Sequence, residues 1–350
     1  MKKALIAMSG GVDSSVAAYL TLEAGYECIG VTMKLFGGDN AESKCCSADD
    51  AQDAKSVAAR LHIPHYTFNF KSDFEKSVIE PFVTAYERGA TPNPCIDCNR
   101  HLKFAALRTR AYELGCDYIV TGHYARIEKD GEKYKLLRAL DRDKDQSYVL
   151  YSLTQQELSH TLFPLGGQTK ARTREIAERE NFVSAHKPES QDICFVPDGD
   201  YAAFIKKRTG KEYPEGDFVD LSGNVLGRHK GIINYTVGQR KGLGIALGAP
   251  AYVKEIDTKS NRVVLCKNEE LFTYELFAED FNWISGEAPK EETECTACVR
   301  YRGALKSATA ETLTDGRVRV RFSEPQRAVT PGQAVVLYRG DEVLGGGTII

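Results

Sequence analysis

The sequence predicts an α/β protein: an N-terminal parallel-sheet domain with helices on both faces, then two β-rich modules, the last a β-barrel. Three observations carry this. Apolar runs alternate with helical periodicity through the first half, and the first run ends in a glycine-rich turn directly ahead of a helix. From about Tyr213 onward, glycines punctuate short alternating segments.

The elements follow in order. Ala4-Leu5-Ile6-Ala7-Met8 reads as a buried strand, Ser9–Ser14 as a turn, and Val16-Ala17-Ala18-Tyr19-Leu20 as the helix behind it. Gly25 suits the residue after that helix, and Cys28–Met33 reads as the next strand. Ser47-Ala48-Asp49-Asp50 has the form of a capping-box variant, with Ala51, Ala54, Ala58 and Leu61 as its helix's apolar face. A strand at Tyr66–Phe70 precedes a helix from Ser72, expected to be interrupted near Pro81. A proline-stiffened loop at Thr91–Asn99 leads to a helix at Lys103–Leu114, stopped by Gly115. Tyr118–Thr121 then reads as a strand ending at Gly122-His123. Ligands of such sheets gather at strand C-terminal ends, where Ser9, Met33 and Gly122 fall together.

Beyond Tyr213 the expected strands are Ala251–Asp257, Arg262–Leu265, Cys295–Arg302, Lys306–Leu313, Arg317–Phe322 and Ala334–Arg339, arranged as antiparallel sheets or barrels. Boundaries near Asp200–Arg208 and Thr273–Glu279 divide the chain into domains at 1–203, 204–275 and 276–350.

Composition sets the limits. The hydrophobic fraction of 42% and charged fraction of 27% are those of a globular protein. No apolar stretch approaches the roughly 20 residues of a membrane span, and a first strand starting by Ala4 leaves no room for a signal peptide. Ten cysteines in 350 residues fall short of a disulfide scaffold, so a reducing cytoplasm is expected. The net charge of −3 argues against indiscriminate nucleic-acid binding but leaves room for a local basic surface.

The turn Ser9-Gly10-Gly11-Val12-Asp13-Ser14 gathers unpaired backbone N–H groups and the positive end of a helix dipole at one point, which suits a phosphate. Its glycines admit an anion closely, and Ser9, Ser14 and Ser15 add hydroxyl donors. No GxxxxGK[ST] sequence occurs, so this is not the usual NTPase loop. The run resembles the pyrophosphate loop of the ATP pyrophosphatase superfamily, whose members split ATP into AMP and pyrophosphate. The plain alternative is a glycine-rich turn between strand and helix.

Three cysteines sit in polar contexts. Cys95 and Cys98 occupy the loop Asn93-Pro94-Cys95-Ile96-Asp97-Cys98-Asn99, ahead of a helix whose N-terminus favours thiolates. Cys194 lies far along the chain, in Glu189-Ser190-Gln191-Asp192-Ile193-Cys194-Phe195. Each alone would be a small buried hydrophobe more often than a nucleophile.

With these residues in view, the chain resembles the tRNA-specific 2-thiouridylase family, nearly over its full length. The matching segments are SGGVDS at Ser9–Ser14, NPCxxCN at Asn93–Asn99, TGHYA at Thr121–Ala125, KDQSYVLY at Lys144–Tyr151, SQDICF at Ser190–Phe195 and TVGQRKGLG at Thr236–Gly244. The resemblance implies a Rossmann-like domain of the adenine nucleotide alpha hydrolase type, and ATP-dependent placement of sulfur on C2 of the wobble uridine of certain tRNAs. It implies ATP held by Ala7, Met8, Ser9, Gly10, Gly11, Val12, Asp13, Ser14, Met33 and Gly122, with Mg2+ screening the phosphates. It makes Cys194 the carrier of a persulfide, supplied by a cysteine desulfurase or a relay protein, and Cys98 its thiol partner in a transient disulfide. It places the target base against Asn93, Pro94 and Cys95. The tRNA would meet His123, Lys144, Asp145, Gln146, Tyr301, Arg302 and Gln333.

One departure stands out, because many relatives carry Asp where this chain has Cys95. A thiol titrates near ~8.5 and an Asp near ~3.9, so an acid/base role does not carry over directly. Three thiols at Cys95, Cys98 and Cys194 also raise the alternative of a [4Fe-4S] cluster with one open iron site.

Other features read plainly. Cys45-Cys46 sits in a polar loop without a spaced partner. Cys295-Thr296-Ala297-Cys298 copies the CxxC spacing, but on a strand i and i+3 face opposite ways. Gly242-Leu243-Gly244 lacks the βαβ context of a dinucleotide loop. Arg317, Arg319 and Arg321 alternate with Val318, Val320 and Phe322, predicting one basic strand face that could meet phosphates, with Arg300, Arg302, Lys306 and Arg327 nearby. The bland alternative is a solvated face, and His123 could be a strand-end histidine satisfied by its neighbours. Two rival functions fit less of the sequence: another ATP pyrophosphatase, which needs no paired thiols, and a non-catalytic nucleotide- or RNA-binding protein.

Overall fold

The computed structural model describes residues 1–36, 48–188 and 193–350. The first strands are β1 (Lys3–Ala7), β2 (Glu27–Lys34), β3 (His65–Asn69) and β4 (Tyr118–Val120); a hairpin, β5 (Ala125–Asp130) and β6 (Lys133–Arg138), precedes β7 (Thr161–Leu162). A parallel sheet runs β3-β2-β1-β4-β7, so the order reverses at β1 and a crevice opens beyond the ends of β1 and β4.

The period-2 alternation of β1 divides the core between the two faces. Ala4, Ile6 and Met8 pack with Val16 and Ala17 of α1 (Val12–Glu23), Ala54 and Ala58 of α2 (Ala48–Arg60), and Ile176 of the helix Lys170–Arg179. Leu5, Val31 and Met33 pack on the other side with Phe74, Phe82, Leu102 and Ile205. Asp49 and Asp50 lie in the first turn of α2, where carboxylates suit the helix dipole; the expected Ser47 cap, like Cys45-Cys46, lies outside the described residues.

Two helices differ from expectation. The segment from residue 71 continues past Pro81 as Lys71–Phe74, a π-helical Glu75–Ile79 and Glu80–Glu87. Pro81 follows directly on the π segment, and its missing N–H leaves one bond of the preceding turn unmade without ending the helix. The second helix starts at Pro94, not Lys103, running as Pro94–Asp97, a π-helical Cys98–Ala106 and Leu107–Glu113. Cys95 and Cys98 therefore stand inside a helix, not on a loop before one. Asn93 caps it, accepting from the Cys95 N–H at 3.1 Å, and Pro94 supplies a first-turn residue with no donor to lose.

The middle module is a sheet in the order β10-β11-β8-β9, made of β8 (Gly216–Val219), β9 (Val225–His229), β10 (Tyr252–Asp257) and β11 (Arg262–Cys266). It is mixed, not purely antiparallel, because β11 pairs with β8 in parallel. The last module holds β12 (Phe272–Trp283), β13 (Thr293–Cys298), β14 (Lys306–Thr312), β15 (Val318–Arg327), β16 (Ala334–Arg339) and β17 (Glu342–Ile349). Pairing of β12 with β17 closes these six strands into a barrel. The hairpin β5–β6, unforeseen in the sequence, joins the barrel sheet through Leu137 opposite Glu342. The strand expected at Cys295–Arg302 stops at Cys298, whose Sγ lies 2.9 Å from the Arg300 carbonyl at a turn. Cys295 packs with one barrel core cluster and Cys298 with another, as opposite strand faces require.

Among the described residues, no helix is long and apolar enough to cross a membrane.

His229 organises the middle module. It is buried, ringed by Phe218 and Tyr235, and its Nδ1 accepts from the Gly231 N–H at 3.1 Å while Nε2 stands 3.1 Å from the Asn261 carbonyl. An acceptor at Nδ1 leaves Nε2 as the donor, so the neutral ring is fully satisfied. Burial holds its pKa below the ordinary 6.5, with the Asn261 carbonyl opposing. A depressed folded pKa means stability that is present above pH 6.5 and lost as pH falls below it. Thermal unfolding from pH 7.5 to 5 should therefore show a steeper loss for the native chain than for His229→Asn; equal slopes would remove this role.

Candidate active site

The phosphate-loop residues stand at the C-terminal end of β1. Gly11 caps α1 without a side-chain bond, so the first N–H groups of that helix keep no side-chain partner. The serines brace the turn: the Ser9 N–H donates to Ser14 Oγ at 3.1 Å, and Ser14 and Ser15 hydroxyls donate to the Gly11 carbonyl at 3.1 and 2.9 Å. Two glycines are dictated by contact. Gly10, at φ +75°, lies against the Asp50 carbonyl of α2, and a Cβ on Gly122 would come within 2.8 Å of the Asp13–Ser14 backbone. Ala7, Met8 and Val12 line the two cores just below the turn, and Met33 is buried at the end of β2.

A charged network that the sequence did not disclose lies behind this turn. The buried Lys170 ammonium reaches both Asp13 carboxylate oxygens, at 2.6 and 2.8 Å, and the Tyr124 hydroxyl donates to Asp13 Oδ1 at 2.9 Å. Burial, with Asp13 beside it, raises the Tyr124 pKa and keeps the phenol a donor. Asp141 accepts from the Lys170 N–H at 2.8 Å, and Thr169 caps the same helix. The only signal for Lys170 in the sequence is its place after a capping Thr. Tyr124 lies within TGHYA, but nothing there shows where its hydroxyl points.

Cys98 and Cys194 lie on the other face of the sheet. Cys98 and Cys194 both pack against the apolar cluster of Phe74, Phe82, Phe195 and Leu102, one from the helix beginning at Pro94 and one from the segment at Ile193. Phe195 anchors the second, with ring centroids 5.1 to 5.8 Å from those of Phe74, Phe82 and Phe204. Residues 190–192 of the expected SQDICF motif lie outside the described residues. The helix widens to π geometry at Cys98 itself.

Asp97, between the two cysteines of the CxxC, faces Arg100 and Asp280 of β12. Burial pushes its carboxyl up to about 6, with Arg100 opposing and Asp280 adding to the effect. Arg100 pairs with Asp280, which holds a left-handed φ of +46° at a bulge of β12.

The barrel and the middle module hold the start of this helix. The Thr91 N–H donates to the Pro331 carbonyl at 2.8 Å, Gln333 Nε2 donates to the Thr91 carbonyl at 2.7 Å, and the Thr91 hydroxyl meets that of Thr236 at 3.2 Å. Cys95 is exposed and acts electrostatically on the Tyr301 phenol, whose pKa burial raises. The Arg302 guanidinium lies 5.4 Å over the Tyr301 ring.

The expected RNA contacts divide into two groups. Tyr301 stands near Cys95 with Arg302 over its ring, and Gln333 bonds to Thr91, just ahead of Asn93 and Pro94. Gln146 exchanges hydrogen bonds with the Tyr124 backbone, both at 2.9 Å, and Lys144 lies half-buried in the same loop. Asp145 turns inward to Arg138, Ser147 and the Ala139 N–H. His123 is buried, 2.6 Å from the Thr121 hydroxyl and flanked by Phe104 and Phe163, and burial drives its pKa well below the ordinary value, leaving it neutral. The predicted basic face of β15 is charge-compensated instead. Arg319 pairs with Glu311, Arg321 with Glu275 and Arg317 with Asp315, each acid lying across the strands or at the turn.

No three His, Cys, Asp or Glu side chains among the described residues stand together so as to share a metal ion. Cys95, Cys98 and Cys194 thus do not form an assembled cradle for the [4Fe-4S] cluster.

Residues 2–198 match the family described as tRNA methyl transferase HUP domain, 202–267 the tRNA methyl transferase PRC-barrel domain, and 273–349 the Aminomethyltransferase beta-barrel domain. Over its length the chain is similar to proteins named tRNA-specific 2-thiouridylase MnmA. It is 52% identical to that of Carboxydothermus hydrogenoformans (99% of this chain, 97% of the relative) and 51% to that of Acetivibrio thermocellus (99% and 99%). It is 50% identical to that of Lachnoclostridium phytofermentans (100% and 100%). The domain descriptions and the full-length names differ in chemistry; identity across all three modules at once is the stronger statement.

Because ionised Asp97 is disfavoured in the folded chain, its penalty grows as pH rises from about 4 to 6 and is constant above. Asp97→Asn should raise the unfolding temperature at pH 8, with the gain shrinking toward zero at pH 4. A gain independent of pH would refute the assignment.

Proposed function

The chain belongs to the tRNA-specific 2-thiouridylase family, and from that premise we propose that it is an ATP-dependent tRNA sulfurtransferase converting the wobble uridine to 2-thiouridine. The observation that carries the reading is the convergence of Cys98 and Cys194 on one apolar cluster, under the sheet whose β1 end carries the phosphate loop.

The C2 oxygen of uracil is a poor leaving group and needs activation. Its attack on the α-phosphorus of ATP releases pyrophosphate to the loop at Gly10–Ser14, where uncapped N–H groups receive negative charge. Mg2+, when bound with ATP, would screen the charge of the phosphates. Lys170 supplies positive charge behind the loop while fixing Asp13. The terminal sulfur of a Cys194 persulfide then attacks C2, and AMP departs with the former C2 oxygen. Cys98 thiolate attacks Cys194 Sγ, breaking the S–S bond to the base; the product leaves as 2-thiouridine and a Cys98–Cys194 disulfide remains. A reductant and a persulfide donor, a cysteine desulfurase or a relay protein, complete the cycle. Asn93, Pro94 and Cys95 line the base, Tyr301, Arg302 and Gln333 hold RNA beside it, and the cytoplasm supplies both tRNA and reduced thiols.

Cys98→Ser and Cys194→Ser should each abolish 2-thiouridine formation, read by mass spectrometry of nucleosides from tRNA incubated with ATP and a persulfide donor. ATP affinity should stay within about twofold, since both thiols pack against the apolar cluster on the face of the sheet opposite α1. Wild-type thiolation by either variant would overturn the thiol assignment.

A further inference from the structure

One motif remains without a role, Thr236–Gly244 of the middle module. It folds as a tight turn at the meeting point of the three modules. The Thr236 N–H donates to Gln239 Oε1 at 3.0 Å, and the Gln239 N–H donates to the Thr236 carbonyl at 3.0 Å. Gln239 Nε2 donates to the Lys241 carbonyl at 3.0 Å. The Gly238 N–H donates to Val253 at 2.7 Å and the Val253 N–H returns a bond to Gln239 at 3.0 Å, pinning the turn to β10. Gly238 holds φ +85°, and a Cβ there would meet that of Ala328 at 2.6 Å and Arg327 Nη1 at 3.9 Å. Barrel and turn therefore touch directly.

This braced turn presents Arg240 and Lys241 outward, both exposed. Among the described residues neither has a carboxylate partner. Arg327, against Gly238 of the same turn, meets Asn268 Oδ1 at 2.9 Å and the Tyr252 ring at 5.0 Å, and among the described residues no carboxylate. The contrast with the alternating arginines is direct, since Arg317, Arg319 and Arg321 are each paired with an acid. The uncancelled cations are also close to the chemistry. Thr236 touches Thr91, four residues before Cys95, and four residues of chain reach at most roughly 14 Å.

We propose that Arg240 and Lys241, with Arg327, form a phosphodiester-binding ridge that grips the RNA backbone flanking the target uridine. This rests on the tRNA reading above and assigns the backbone contacts to the middle module. Contacts to the backbone set affinity and register, not sequence preference.

The test measures binding of an unmodified tRNA transcript with a wobble uridine against salt concentration. Arg240→Gln/Lys241→Gln should weaken binding at least tenfold and flatten the log–log salt slope by about 1.5, as expected for two lost phosphate contacts. ATP affinity and unfolding temperature should stay unchanged. Arg319→Gln/Arg321→Gln should bind like the native chain. Native affinity and slope in the first variant, while the native chain binds and thiolates tRNA, would overturn this inference alone. A native chain that binds no tRNA would overturn the functional reading and the ridge with it.

Discussion

The site's geometry depends on how the backbone of Thr91 is held. Its N–H is taken by the barrel carbonyl of Pro331, its carbonyl by Gln333, and its hydroxyl by Thr236 of the middle module. A loop residue whose two main-chain groups are both bonded to another module has little freedom left. Asn93 and Pro94 start the helix two residues later, so Cys95 and Cys98 inherit that placement through helical geometry. Arg100 and Asp280 repeat the constraint one turn further on. The barrel thus sets the position of thiols that belong to another module.

The phosphate loop is positioned by a second chain of contacts. Gln146 is bonded to the backbone of Tyr124, Tyr124 to Asp13, Asp13 to Lys170, and the Lys170 N–H to Asp141. A buried ammonium is tolerated only when paired, and here both oxygens of Asp13 pair with it. The loop bearing Lys144, Asp145 and Gln146 is in consequence tied to the first turn of α1. RNA held by that loop and nucleotide held by α1 would rest on one bonded network.

Much of this was legible in the sequence because local chemistry enforces it. An apolar run into Ser9-Gly10-Gly11 can hardly be anything but strand, turn and helix start, and the period-2 pattern of Val318, Val320 and Phe322 does place them in the barrel core. What stayed hidden depends on contacts between distant parts. The Cys95–Cys98 segment looks like a loop because of its prolines, yet Pro94 is a good first-turn residue once Asn93 caps it. The hairpin β5–β6 adds to a sheet whose other strands begin well over a hundred residues later. Lys170 gains its meaning only from Asp13, on a different helix.

Charge shows the same limit most sharply. Alternating arginines on β15 define a face, but an i, i+2 pattern says nothing about what stands across the ladder. The register sets Glu311 opposite Arg319 and Glu275 opposite Arg321. Such half-exposed pairs are worth only about 0–1 kcal/mol each, and they still cancel the field that a phosphate would sense. A chain of net charge −3 has slightly more acids than bases to distribute, so most of its cations will find an acid by chance or by design. A surface for a polyanion is therefore marked by cations that the fold has kept away from carboxylates, and among the described residues the turn with exposed Arg240 and Lys241 meets that condition where Arg319 and Arg321 do not.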